Sequence, residues 1–153
     1  MMSILKGDLV QFALTGRFDV IIHGCNCFCS MGAGIAKQIR DNFPQAYQAD
    51  LKTRMGDKGK LGTSSQARIE KNGNIFTIVN GYTQYDFSGH GTLVNYKAIK
   101  KLFIRIKNDF SNQRIGYPKI GAGLAKGNWE VISDIINKEL QGEDHTFVEY
   151  VKF

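Results

Sequence analysis

The chain has little proline, few cysteines and no long apolar run, and each shortage removes a class of protein. Only two prolines and no Ser-rich tract occur in 153 residues, which leaves no material for a linker. With no repeat or low-complexity segment, one domain over residues 1–153 is expected. That length buries an adequate core without staples. The three cysteines, Cys25, Cys27 and Cys29, crowd into one short stretch. An odd, clustered set is a poor disulfide framework, so a reducing, cytoplasmic setting is expected. The longest apolar runs are far too short to span a bilayer, and no membrane partner is expected. The N-terminal MMSILKGDLVQF lacks the basic-then-apolar design of a secretory signal.

What is present is basic. The formal net charge is +6, which favours anionic partners without separating nucleic acid from a phosphorylated small molecule. Lys97, Lys100, Lys101, Arg105 and Lys107 share one predicted helix and read as a solvated face rather than a binding stripe. An RNA-binding reading ranks last, since no platform of stacking aromatics or arginine-rich motif supports it.

Apolar, β-branched runs recur as DVIIHG (19–24), NIFTIVNGY (74–82), RIGYP (114–118) and HTFVEYVKF (145–153), each bounded by Gly, Asn, Asp or Pro. Residues 66–69, then Asn72-Gly73, then Ile75 predict a hairpin. Between the strands, Ile99, Leu102, Phe103, Ile106 and Phe110 share one helical face. Trp129, Ile132, Ile136 and Leu140 share another, with Asn128 or Gly127 placed as its cap. Ala33 to Asn42 predicts a third helix, and a shorter one follows Pro44. Strands alternating with helices predict an α/β fold with a largely parallel sheet. Its ligand crevice is then expected beyond the carboxyl ends of the strands.

The stretch HGCNCFCSMGAGIAK (23–37) admits three readings. In an extended segment Cys25, Cys27 and Cys29 share a face with His23. Tetrahedral metal sites, however, draw on CxxC turns and distant segments, and His90 and His145 are isolated. The thiols are therefore read as structural, with no metal or cofactor. The dinucleotide fingerprint fails, because Gly32-Ala33-Gly34 lacks a third glycine and a following acid. Gly56-Asp57-Lys58-Gly59-Lys60 has the wrong spacing for a Walker loop and lacks its Ser/Thr. What remains is a strand end, a polar loop and a glycine pair opening a helix, whose unsatisfied amides suit an anion. Pro118-Lys119-Ile120-Gly121-Ala122-Gly123-Leu124 repeats the pattern after a second strand and before a second helix. Two such loops would clasp a diphosphate from both sides.

These pieces in this order resemble the macrodomain family, which binds ADP-ribose. The resemblance rests on Lys6-Gly7-Asp8-Leu9, His23-Gly24-Cys25-Asn26, Met31-Gly32-Ala33-Gly34-Ile35-Ala36, Asn80-Gly81-Tyr82-Thr83-Gln84 and the second glycine loop. Within the family the chain is most similar to the stand-alone branch that processes ADP-ribose 1''-phosphate, related to macrodomains that remove ADP-ribose from glutamate or nucleobases. The resemblance implies a three-layer α/β/α fold with a mixed, largely parallel sheet. It implies that Asp8 accepts from the adenine amino group and that the Leu9 amide serves a ring nitrogen. Asn26 would bond the distal ribose. Gly32, Ala33, Gly34, Ile35 and Ala36 would hold that ribose and one phosphate, and Gly121, Ala122, Gly123 and Leu124 the diphosphate. Tyr82 and Gln84 would form another wall. Taken singly, Asp8 equally fits a helix cap, Asn26 a turn and Tyr82 the rim of the core.

Catalysis is less determined. In deglycosylating relatives a lysine attacks the anomeric carbon and an aspartate assists. Here Asn80 and Ala125 align with those positions and cannot do either. A phosphatase needs only a positioned phosphoryl group and an oriented water. Candidates are His23, Asn26, Ser30 and His90, with His23 equally readable as a core histidine; Asn128, near an acid in some relatives, equally fits a cap. The expected function is hydrolysis of ADP-ribose 1''-phosphate by a monomer. Next come a non-catalytic ADP-ribose reader and a hydrolase of ADP-ribosylated protein or DNA using residues other than a Lys/Asp pair.

Overall fold

The computed structural model describes residues 1–89 and 91–152. In chain order the elements are β1 (Ser3–Gly7), α1 (Leu9–Leu14), β2 (Val20–Cys25), α2 (Gly34–Asn42) and α3 (Pro44–Leu51). A 3-10 turn (Lys58–Lys60) leads to β3 (Ser64–Lys71), β4 (Asn74–Tyr82), α4 (Tyr96–Phe110), β5 (Ile115–Tyr117), α5 (Trp129–Glu139) and β6 (His145–Tyr150). The six strands form one sheet in the order β1-β6-β5-β2-β4-β3. Every neighbouring pair is parallel except β3 with β4.

Alternation along the strands assigns the layers. Val20, Ile22 and Val79 pack with Ile99, Leu102, Phe103 and Ile106 of α4 and Ile132 and Ile136 of α5. Ile21, Phe76 and Ile78 pack on the other face with Leu9 of α1, Ile39 of α2, Ala46 of α3 and Phe43 between those last two helices. The fold is a three-layer α/β/α sandwich. Both faces of β2 are covered, which is why its start reads as an unbroken aliphatic run. Burying Val20, Ile21 and Ile22 stabilises by about 2 kcal/mol each.

The hairpin forms as predicted: Lys71 pairs with Asn74, and Asn72 and Gly73 take φ 55° and 78°, the left-handed pair that a two-residue turn demands. Asn128 caps α5 by accepting from the amides of Glu130 and Val131. The basic residues of α4 lie opposite its buried stripe, with Lys97, Lys100, Lys101 and Arg105 exposed. Sequence reasoning did not foresee β1 and α1. Strand β1 is an edge bonded only to β6, and its Ile4 is exposed, so it carries no clear hydrophobic alternation. Helix α1 has six residues and is held by Asp8, whose Oδ1 accepts from the amides of Val10 and Gln11 at 2.9 and 3.3 Å.

Candidate functional site

The two glycine loops leave the carboxyl ends of β2 and β5, which are neighbours in the sheet. After β2 the chain folds back on Asn26. The Asn26 Oδ1 accepts from the Phe28 amide at 2.9 Å, and its Nδ2 donates to the Ser30 carbonyl at 2.8 Å. The sequence-level alternative of a turn residue is therefore also true of Asn26, although the same residue lines the cleft. Beyond Ser30 the chain runs through Gly32 and Ala33 into α2, which starts at Gly34 with φ 58°. Ala33 occupies the cap position and no side chain caps α2. Among the described residues the first amides of α2 thus find no acceptor, at the positive end of its dipole.

The second loop is built differently. The loop precedes helix α5, as its sequence pattern predicted, but α5 begins only at Trp129, so the glycines stand several residues ahead of the helix rather than at its first turn. It is a turn closed by Gly127 N–H to Gly121 O at 2.7 Å and Lys126 N–H to Gly123 O at 3.1 Å. The Ala125 carbonyl anchors it by accepting from Leu93 and Val94 at 2.8 and 3.3 Å. Gly121 has φ 74°, and a Cβ there would lie 2.6 Å from Val94 Cγ2; only glycine fits. The amides of Gly123 and Leu124 find no acceptor among the described residues.

Between the loops lies a cleft of about 480 Å³. Its walls include Gly32 to Ala36 on one side and Gly121, Gly123 and Leu124 on the other, with Asn26, Ser30 and Gln84 also present. A second cavity of about 280 Å³, lined by Asp8 and Leu9, shares Gly34, Ile35 and Pro118 with the first. The two adjoin at these residues and together are referred to as the trough. Leu124 reaches across it, its Cδ1 3.5 Å from where a Cβ on Gly34 would sit. Asp8 serves as a cap through Oδ1 alone, which leaves Oδ2 without a partner among the described residues while the residue lines the second cavity.

Four expectations need correction or fall elsewhere. His23 does not reach the cleft. It shares the α3 face of the sheet with Ile21, has no exposed surface, and lies 2.7 Å from Asn80 Oδ1 through Nε2. Asn80 Nδ2 donates to Ala46 O and Ser65 Oγ, so its Oδ1 is the acceptor and His23 Nε2 carries the proton. Burial lowers the His23 pKa to about 4 despite that bond, so the ring is neutral at pH 7, buried beneath Cys25 rather than lining the cleft. Tyr82 likewise is core rather than wall: it is fully buried, and its hydroxyl donates to Asp50 Oδ1 at 2.7 Å and accepts from Ser65 Oγ at 2.7 Å. Ala122 sits in its loop without lining the cleft. His90 lies outside the described residues.

The three cysteines are buried free thiols, and Cys25 also lines the cleft. Burial, with the Asp50 charge next, pushes the Cys25 pKa well up, and Cys29 Sγ lies 3.2 Å from the Asp50 carbonyl. Among the described residues no three His, Cys, Asp or Glu side chains converge on a metal-sized site. Asn80 is held in the buried network beneath the cleft, and Ala125 lines the cleft itself. Sequence reasoning missed Phe87, Lys119, Gln38 and Tyr150 as lining residues. Lys119 lies inside the quoted glycine motif. Tyr150 becomes legible only once β6 is paired with β1, which sets it opposite Gly7. Phe87, 57% exposed, stands in a loop without pattern, edge-on to Phe28 with ring centroids 6.2 Å apart.

Fold and trough together define an α/β/α domain with unpaired backbone amides along a cleft at the carboxyl ends of its parallel strands. No protein-family model matches the chain. It is 36% identical over 87% of its length, and 86% of the other, to an uncharacterised 17.5 kDa protein of the tk-vs intergenic region of Enterobacteria phage T4. It is 30% identical to the ADP-ribose 1''-phosphate phosphatase of Debaryomyces hansenii, covering 90% of this chain and 93% of that one. Among solved structures it resembles the macrodomain of Mycobacterium tuberculosis DarG over the full length of both chains (TM-score 0.72, 20% identity). It also resembles a Trypanosoma brucei macrodomain in complex with ADP-ribose over 99% of this chain and 64% of that one (TM-score 0.68, 12% identity). The chain belongs to the macrodomain family.

Proposed function

We propose that this macrodomain binds ADP-ribose along the trough and hydrolyses ADP-ribose 1''-phosphate to ADP-ribose and inorganic phosphate. One observation carries the reading: two adjoining cavities, which share Gly34, Ile35 and Pro118, bring together a free carboxylate oxygen on Asp8, two loops of unpaired amides, and Asn26 and Ser30. Asp8 Oδ2 suits an exocyclic amino group, which must donate. The amides of Gly34 to Ala36, Gly123 and Leu124 suit a diphosphate. Asn26 and Ser30 suit the hydroxyls of the distal ribose. The Debaryomyces relative's name supports the reaction, and the Trypanosoma complex supports the ligand. In the reaction, water adds to phosphorus, the bond from phosphorus to the anomeric oxygen breaks, and a proton returns to that oxygen. The loop amides and Lys119 offset the charge on the phosphoryl oxygens.

A non-catalytic reader is the second reading, favoured by the absence of any histidine or carboxylate among the described residues that line the larger cavity. Phosphate release from ADP-ribose 1''-phosphate, followed beside calorimetric ADP-ribose binding, separates the two. Saturable release that Asn26→Ala abolishes in a folded protein supports the phosphatase. Tight binding without release makes the chain a reader. Absence of both overturns the use of the trough for ADP-ribose.

A further inference from the structure

Lys60 is a buried lysine that the proposed chemistry does not use. It is 6% exposed, and its Nζ donates to the Cys27 carbonyl at 3.2 Å, lies 3.8 Å from Cys29 Sγ and sits 4.4 Å from the centre of the Tyr82 ring. The same compartment holds Asp50, whose Oδ1 takes the Tyr82 hydroxyl while its buried Oδ2 has no partner among the described residues. Burial raises the Asp50 pKa, and the Tyr82 bond and the Lys60 charge draw it back. A lysine is almost never fully buried without a reason.

The reason lies in the loop above it. Asn26 and Ser30 line the cleft, while Cys27 and Cys29 between them are fastened from below. Cys29 holds φ 55°, a left-handed conformation that costs a non-glycine residue energy. Its thiol contacts the Asp50 carbonyl and Thr53 Oγ1 at 3.2 and 3.5 Å, and the Gly56 amide gives the Cys27 carbonyl a second bond at 2.7 Å. We infer that Lys60 is a positioning residue that fixes the Asn26–Ser30 loop for the distal ribose and so separates ADP-ribose from ADP. The inference rests on the ADP-ribose reading of the trough. The second glycine loop and the Asp8 cavity make no hydrogen bond to Lys60, so recognition of the ADP portion is independent of it.

The experiment compares binding of ADP-ribose and ADP to the native chain, to Lys60→Met, and to the double variant Lys60→Met with Asp50→Asn. The double variant leaves no lone buried charge and retains an acceptor for Tyr82, so it tests the lost donor even where the single variant folds poorly. Both variants are expected to weaken ADP-ribose binding about tenfold, which is about 1.4 kcal/mol, while ADP binding stays within about twofold. On the native chain, the Lys60 ammonium resonance is expected to move with ADP-ribose and not with ADP. Equal loss of both ligands, native-like ADP-ribose binding by the double variant, or an ammonium resonance indifferent to ADP-ribose overturns the inference alone. Failure of the native chain to bind ADP-ribose overturns the function reading, and this inference with it.

Discussion

The two glycine loops carry the same Gly-Ala-Gly triplet and reach the same cleft by opposite means. The first exposes amides because α2 starts at Gly34 without a capping side chain. Its rigidity is borrowed from side chains beneath it, Asn26, Cys29 and Lys60. The second exposes amides because a turn points them outward, held by main-chain bonds to Ala125 and Gly127. One is a helix end on a side-chain pedestal, and the other is a backbone clasp. Equal spacing in sequence therefore does not imply equal construction, and within each triplet the two glycines do different work.

That difference can be broken residue by residue. The largest effect is expected below both loops rather than in them. His23 is neutral in the fold down to about pH 4, whereas an unfolded histidine takes up a proton near pH 6.5. Its contribution is complete above pH 6.5 and lost as pH falls from there to about 4, amounting to about 3 kcal/mol. Urea unfolding across that range should show the slope, and His23→Gln should remove most of it. A slope that survives the substitution assigns it to other groups.

Gly121→Ala comes next. The positive φ and the approach to Val94 should cost about 2–3 kcal/mol, read as a lower urea midpoint. Gly123→Val should behave in the opposite way. Nothing lies within 4 Å of a Cβ there and its φ is not left-handed, so stability should hold within about 0.5 kcal/mol. Ligand affinity should nevertheless drop by more than about tenfold, because the branched side chain stands where phosphate approaches. If Gly123→Val binds normally, the clasp does not hold the diphosphate. The smallest effect belongs to Asp8→Asn. Asparagine caps as well as aspartate, so α1 should be undisturbed. The amide that replaces Oδ2 donates instead of accepting, and affinity for the adenine compound should fall about fivefold with unchanged thermal stability.

Much of this architecture was legible in the sequence where local rules decide. NIFTIVNGY is β4 to the residue, the Asn-Gly pair is the hairpin turn, and the stripes of α4 and α5 face the core as their spacing requires. Both glycine loops and Asn26 line the cleft. Failures came where a residue's face, not its element, was at issue. His23 and Tyr82 follow strict alternation with Ile21 and Ile78, so they belong to the α3 face, which turns from aliphatic to polar towards the strand ends. Proximity to the motif suggested the cleft; strand parity assigns them to the interior. Strand β1 was missed because its only partner, β6, lies at the other end of the chain. The contribution of Lys60 was hidden inside a sequence that resembled a failed Walker loop.

Strand β5 has three residues and is inserted between β2 and β6, although β2 is finished some ninety positions earlier in the chain. The cleft therefore has no precursor in any partly made chain, because one of its walls is attached to this late, short insert. Closing so long a loop is slow relative to local helix formation. During refolding, helical signal should return first and ligand recognition last. A ligand added during synthesis would then find nothing to hold until β5 has docked, after which its binding would draw the folding equilibrium towards the native state.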